Sequence, residues 1–61
     1  MTVEEYNKLP IGNPEKNEIG QRYRLGKSDR EYKPGDRVWC FEVIRLTGFG
    51  HEAQQVDLIL E

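Results

Sequence analysis

Cysteine and histidine are nearly missing from this 61-residue chain; each occurs once, as Cys40 and His51. A single cysteine excludes an internal disulfide, and one cysteine with one histidine cannot complete a four-ligand zinc site. Apolar residues are also scarce, at 36%. A domain of about 60 residues buries only about 60% of the surface its unfolded chain exposes, so oligomerisation or binding is the stabilising aid that remains. No apolar run approaches the roughly 20 residues of a membrane span, and the N-terminus has no signal-peptide pattern. A soluble, cytoplasmic protein is expected, with no membrane contact. There is no excess of basic charge either: the net charge of −2 argues against a general nucleic-acid coat. No carboxylate pair or nucleophile with a tuning neighbour forms a catalytic constellation, so no enzyme activity, metal or cofactor is expected.

What the chain does have is segregated charge. Residues 1–20 set Lys8 and Lys16 against Glu4, Glu5, Glu15 and Glu18, a net −2. Residues 21–37 set Arg22, Arg24, Lys27, Arg30, Lys33 and Arg37 against Asp29, Glu31 and Asp36, a net +3. Residues 38–61 return to −3, with Arg45 alone against Glu42, Glu52, Asp57 and Glu61. The middle is basic and both ends are acidic.

The organising stretch is 32–46, where Tyr-Lys-Pro-Gly-Asp precedes the longest apolar run. Pro34 presets φ for the second turn position, Gly35 tolerates the positive φ of a type II turn, and Asp36 can accept from the turn backbone. Seven of the ten residues from 37 to 46 are apolar or cysteine. Strict alternation places Val38, Cys40, Glu42, Ile44 and Leu46 on one face and Trp39, Phe41, Val43 and Arg45 on the other. Both faces are mostly apolar, which predicts a central strand buried on two sides with Trp39 at the centre of the core. Cys40 reads as a small buried hydrophobe.

Before this stretch, Thr2-Val3-Glu4-Glu5 forms a capping box, and Val3, Tyr6 and Leu9 give an apolar stripe, predicting a helix of about two turns that Pro10 ends. Residues 10–17 carry turn chemistry. Residues 18–25 read as a first strand with Ile19, Gln21, Tyr23 and Leu25 on one face; Arg22 and Arg24 share the other, either as solvated charges or as a ligand-binding ridge. After the central strand, Thr47-Gly48-Phe49-Gly50-His51 marks a tight connection, and residues 54–60 return with Val56, Leu58 and Leu60 on one face and Gln55 and Asp57 on the other. Phe49 is either a plug over the barrel end or an exposed contact residue, and His51 beside it reads as a surface residue.

The run Tyr23-Arg24-Leu25-Gly26-Lys27-Ser28-Asp29-Arg30-Glu31-Tyr32-Lys33-Pro34-Gly35-Asp36, with Val56-Asp57-Leu58-Ile59-Leu60 after it, resembles an uncharacterised phage and bacterial branch of the ASCH family. The resemblance implies a PUA-like barrel and an RNA-type ligand. Where family members usually carry a glutamate on the first motif strand this chain has Arg24, and its Ile19-Gly20-Gln21-Arg22 lacks the usual lysine. A guanidinium cannot act as a base, so no hydrolytic role carries over.

The expectation is therefore one small domain over residues 1–61, with a short helix and loop over 1–17 and a β-barrel core over 18–61. Its class is mainly β, a small PUA/SH3-like barrel with one short N-terminal helix. Function is expected to be that of a non-enzymatic binding module. The first reading is RNA or single-stranded nucleic acid held by Arg22, Arg24, Lys27, Arg30, Tyr32, Lys33 and Arg37, with stacking from Tyr32 or Phe49. The alternative is a protein partner or a homodimer, as for a phage-type accessory or inhibitor protein, docking through Phe49 and His51 at the hairpin tip and through the acidic ends.

Overall fold

The structure is a computed structural model that describes residues 1–26 and 31–61. Its elements are α1 (Val3–Asn7), β1 (Arg22–Tyr23), β2 (Arg37–Thr47) and β3 (Gly50–Ile59). The strands form one antiparallel sheet in the order β1-β2-β3. The chain is thus mainly β with one short N-terminal helix, as its residues predict. No helix among the described residues is long and apolar enough to cross a membrane.

The helix begins where the capping box places it. Thr2 Oγ1 accepts from the Glu5 amide at 3.1 Å, and Glu5 Oε1 accepts from the Thr2 amide at 3.0 Å. These bonds hold the Glu5 carboxyl below its usual range, the one from the Thr2 backbone contributing most. The helix is shorter than the predicted two turns. Tyr6 is its buried residue, and packing rather than length keeps it folded.

The Pro-Gly turn forms as its residue types require. Gly35 sits at φ 93°, the Asp36 amide donates to the Lys33 carbonyl at 3.1 Å, and Asp36 Oδ2 accepts from the Lys33 amide at 2.9 Å. The turn also anchors the C-terminus. Gly35 donates to the Leu60 carbonyl at 2.8 Å and Leu60 donates to the Asp36 carbonyl at 2.9 Å. From there β2 and β3 pair along their whole length to Thr47 opposite Gly50, joined by the two residues Gly48 and Phe49. An eleven-residue strand at about 3.3 Å per residue is about 36 Å long, so this hairpin sets the 38 Å long axis of the molecule.

The two faces of β2 differ more than the sequence predicts. On the helix side Val38 and Cys40 are buried with Tyr6 and Leu60, and Met1, Val3, Leu9, Tyr32, Val56 and Leu58 pack around them. On the other side Val43 is buried, and its backbone N–H donates to Gln21 and its carbonyl accepts from Gly20. Trp39, on that same side, is 45% exposed and is not the centre of the core. The first strand is also shorter than expected: only Arg22 and Tyr23 pair with Glu42 and Phe41, while Ile19 and Leu25 are exposed. Positive φ at Gly12 (88°), Asn17 (53°) and Gly20 (91°) keeps the 12–20 segment from running as a strand.

A bulge between Val43 and Arg45 changes the alternation beyond it. Arg45 moves to the helix side opposite Glu52, at 2.6 Å, and Leu46 moves to the Trp39 side opposite His51. Strict alternation predicts the reverse for both.

Cys40 is fully buried, and burial raises its thiol above the ordinary value. A raised thiol contributes stability that is complete below the ordinary cysteine value and is lost as pH rises through the folded one. Burial, with Tyr32 adjacent, raises the Tyr6 phenol in the same sense. The fold should therefore loosen in alkali, not in mild acid, on account of these two groups. Reaction with a thiol-specific chromogenic reagent should be slow at neutral pH in the native state and become fast only in denaturant; rapid labelling of native protein would place Cys40 elsewhere.

Candidate functional site

The side of the sheet away from α1 carries a connected row of rings. The register sets Tyr23 beside Phe41, and their rings stack with centroids 5.6 Å apart. Tyr23 meets His51 of β3 edge-on at 5.4 Å, with its hydroxyl 3.0 Å from His51 Nε2. Phe41 meets Trp39 edge-on at 5.5 Å. The row is buried at Tyr23, 8% exposed, and opens to solvent at Trp39. Arg37 lies two residues before Trp39 on the same side, and Asp57 lies directly across from it.

Shallow depressions lie at both ends of the row. One, of about 230 Å³, is lined by Arg37, Asp57, Leu58 and Ile59; the other, of about 220 Å³, by Asn13, Pro14, Asn17, Gly50 and His51. Each is small beside a typical ligand pocket. The surface is therefore suited to contact along a strip rather than to enclosing a small molecule.

Of the described basic residues predicted to bind, Arg37 lies on this side and Arg22 and Arg24 do not. Arg22 and Arg24 do share a side, as alternation predicts, but it is the helix side. Arg22 Nε is 3.5 Å from Glu42 Oε1. Arg24 is 2% exposed: its guanidinium lies 4.8 Å from the Tyr6 ring centroid and 6.0 Å from that of Tyr32, and one Nη donates to the Asn7 carbonyl at 3.4 Å. It is an interior residue, neither a solvated charge nor an open phosphate ligand. Among the described residues its Nε has no hydrogen-bond partner. Tyr32 packs edge-on against Tyr6 at 5.0 Å. Lys33 and Arg37 are exposed, and Lys27 and Arg30 lie outside the described residues.

The hairpin-tip pair separates as well. Phe49 is fully exposed at the turn, its amide donating to Thr47 Oγ1 at 3.3 Å. His51 is half-buried in the ring row rather than free on the surface. Sequence reasoning missed the exposure of Trp39 and the Tyr23–His51 bond. Alternation does put Trp39 and Phe41 together, but it does not mark which of two apolar sides the helix covers. No protein-family model matches the chain, and no curated protein or solved structure matches it.

Truncating buried and open members of the row separates this arrangement from one centred on Trp39. Tyr23→Ala should destabilise the domain by about 3 kcal/mol, the usual scale for a buried aromatic, and Trp39→Ala by less than half as much. Urea melts of both variants check this, and equal losses would return Trp39 to the core.

Proposed function

We propose that the domain is a non-enzymatic binding module that docks on a protein partner through the open end of the ring row and the projecting hairpin tip. The observation that carries this reading is exposed aromatic surface, with several of the described cations already engaged elsewhere. Phe49 is fully exposed and Trp39 is 45% exposed. Lys8, Arg22 and Arg45 are each paired with a glutamate, and Arg24 is interior. A half-exposed tryptophan and an exposed tip phenylalanine are the kinds of side chain that anchor protein interfaces. Exposed carboxylates such as Glu15, Glu18 and Glu61 favour a partner with a basic rim.

A second reading has its own support. Arg37, Trp39 and Phe41 alternate onto one side of β2, a cation followed by two stacking rings, and this suits single-stranded nucleic acid. Kinship with the ASCH branch, resting on the motif residues, favours an RNA-type ligand. Against it stands Asp57 across from Trp39, where a phosphate would be repelled.

The two readings part in a ¹⁵N-HSQC titration with short single-stranded RNA and DNA at about 50 and about 200 mM salt, the range over which phosphate contacts lose most affinity. The protein reading expects no shifts at 37–41 at either salt, and a captured protein partner lost with Phe49→Ala or Trp39→Ala. Shifts at Arg37, Trp39 and Phe41 that fade at the higher salt would overturn it in favour of nucleic acid.

A further inference from the structure

The hydrogen-bond pattern of β2 determines which backbone groups of β3 are open. Val43 directs its N–H and its carbonyl to Gln21 and Gly20, on the β1 side. Alternation in an antiparallel ladder then directs Val38, Cys40 and Glu42 to β3, where they meet Leu58, Val56 and Gln54. Leu60 fits this phase, since its N–H donates to the Asp36 carbonyl. The odd-numbered residues of β3, His51, Ala53, Gln55, Asp57 and Ile59, therefore point N–H and C=O away from β2. Among the described residues no segment pairs with this edge.

Natural sheets usually protect such an edge with lysine, proline or a bulge. Gly50–Ile59 contains no lysine, arginine or proline, and the bulge lies in β2. The opposite edge of the sheet is partly occupied. Arg24 exchanges backbone bonds with residues 10–12, its amide donating to Pro10 at 2.9 Å and its carbonyl accepting from Gly12 at 2.8 Å. Beyond β1, the Tyr6 hydroxyl donates to the Trp39 carbonyl at 3.0 Å. Among the described residues β3 is thus the longest open edge, which favours a closed pair over an open-ended stack.

We propose that β3 pairs antiparallel with β3 of a second copy, the two-fold axis passing through Gln54, to make one continuous six-stranded sheet. Charge supports this partner. Only residues of equal parity can face each other across such an axis, so Glu52 and Asp57, which lie on opposite sides of the sheet, cannot oppose one another. An axis at Gln54 sets the His51 ring of each copy opposite the Asp57 carboxylate of the other, leaving no like charges opposed there, and sets Glu52 opposite Val56. This assembly uses the edge of β3 and does not rest on what Trp39 or Phe49 binds.

The test reads edge and register separately. Sedimentation equilibrium of the whole chain should give twice the monomer mass at about 1 mM, a concentration that detects even a weak pair. Hydrogen exchange should show the amides of Ala53, Gln55 and Asp57 becoming protected as concentration rises. Gln55→Pro removes an outward N–H that β2 does not use, a position where an edge strand tolerates proline; it should weaken pairing at least about tenfold and leave the circular dichroism spectrum unchanged. Gln54→Cys should form an intermolecular disulfide on mild oxidation, because residues facing across the axis without mutual hydrogen bonds come within about 5 Å, whereas Glu52→Cys should not. Should Gln55→Pro fail to fold, the exchange and cross-linking results decide. A monomer at about 1 mM with unprotected odd-numbered amides would overturn the proposal. So would a dimer that forms with those amides still exchanging freely, and cross-linking at position 52 instead of 54 would overturn the register.

Discussion

Tyr6 is the contact through which the parts of this small protein are joined. Its ring lies in the core with Val38, Cys40 and Leu60, meets Tyr32 edge-on, and carries the Arg24 guanidinium on its face. Its hydroxyl satisfies the Trp39 carbonyl at a point where β1 has already left β2. A buried carbonyl without a partner costs about 1–3 kcal/mol, and here a side chain supplies the donor that a third full strand would otherwise provide. Helix, first strand, turn segment and central strand are all connected through this one residue.

Arg24 follows from the same arrangement. A buried guanidinium is tolerated where aromatic faces and a carbonyl replace water, and here Tyr6, Tyr32 and the Asn7 carbonyl do so. Its long aliphatic stem adds apolar area to a core short of it. A domain of about 60 residues has little area to lose, so an arginine that resembles a surface charge in sequence becomes part of the interior. The positive charge of the 21–37 segment is then less available to a ligand than its composition implies.

The features legible in sequence are those decided over a few residues. Thr2 and Glu5 specify their own reciprocal bonds, Pro34-Gly35-Asp36 specifies its turn, and Gly48-Phe49 between two apolar runs specifies a hairpin. Alternation correctly separates Val56, Leu58 and Leu60 from Gln55 and Asp57. The features that were not legible depend on long-range register. The bulge at Val43/Arg45 reverses the sides of Arg45 and Leu46, and no local composition marks it. The exposure of Trp39 follows from α1 covering the Cys40 side alone, a choice between two apolar faces that propensity cannot make. His51 illustrates the same limit, since its hydroxyl partner lies 28 residues away in the chain.

The bulge also links fold to candidate surface. Without it, Arg45 would project on the side of Trp39, Phe41 and Tyr23, and its charge would interrupt the apolar strip. With it, Arg45 pairs with Glu52 on the helix side, near Glu42 and Gln54, and Leu46 extends the strip past His51 toward the tip. One inserted residue thus concentrates polar groups on one side of the distal hairpin and apolar groups on the other. That division gives the distal hairpin a sided contact surface, although so little of the chain is apolar.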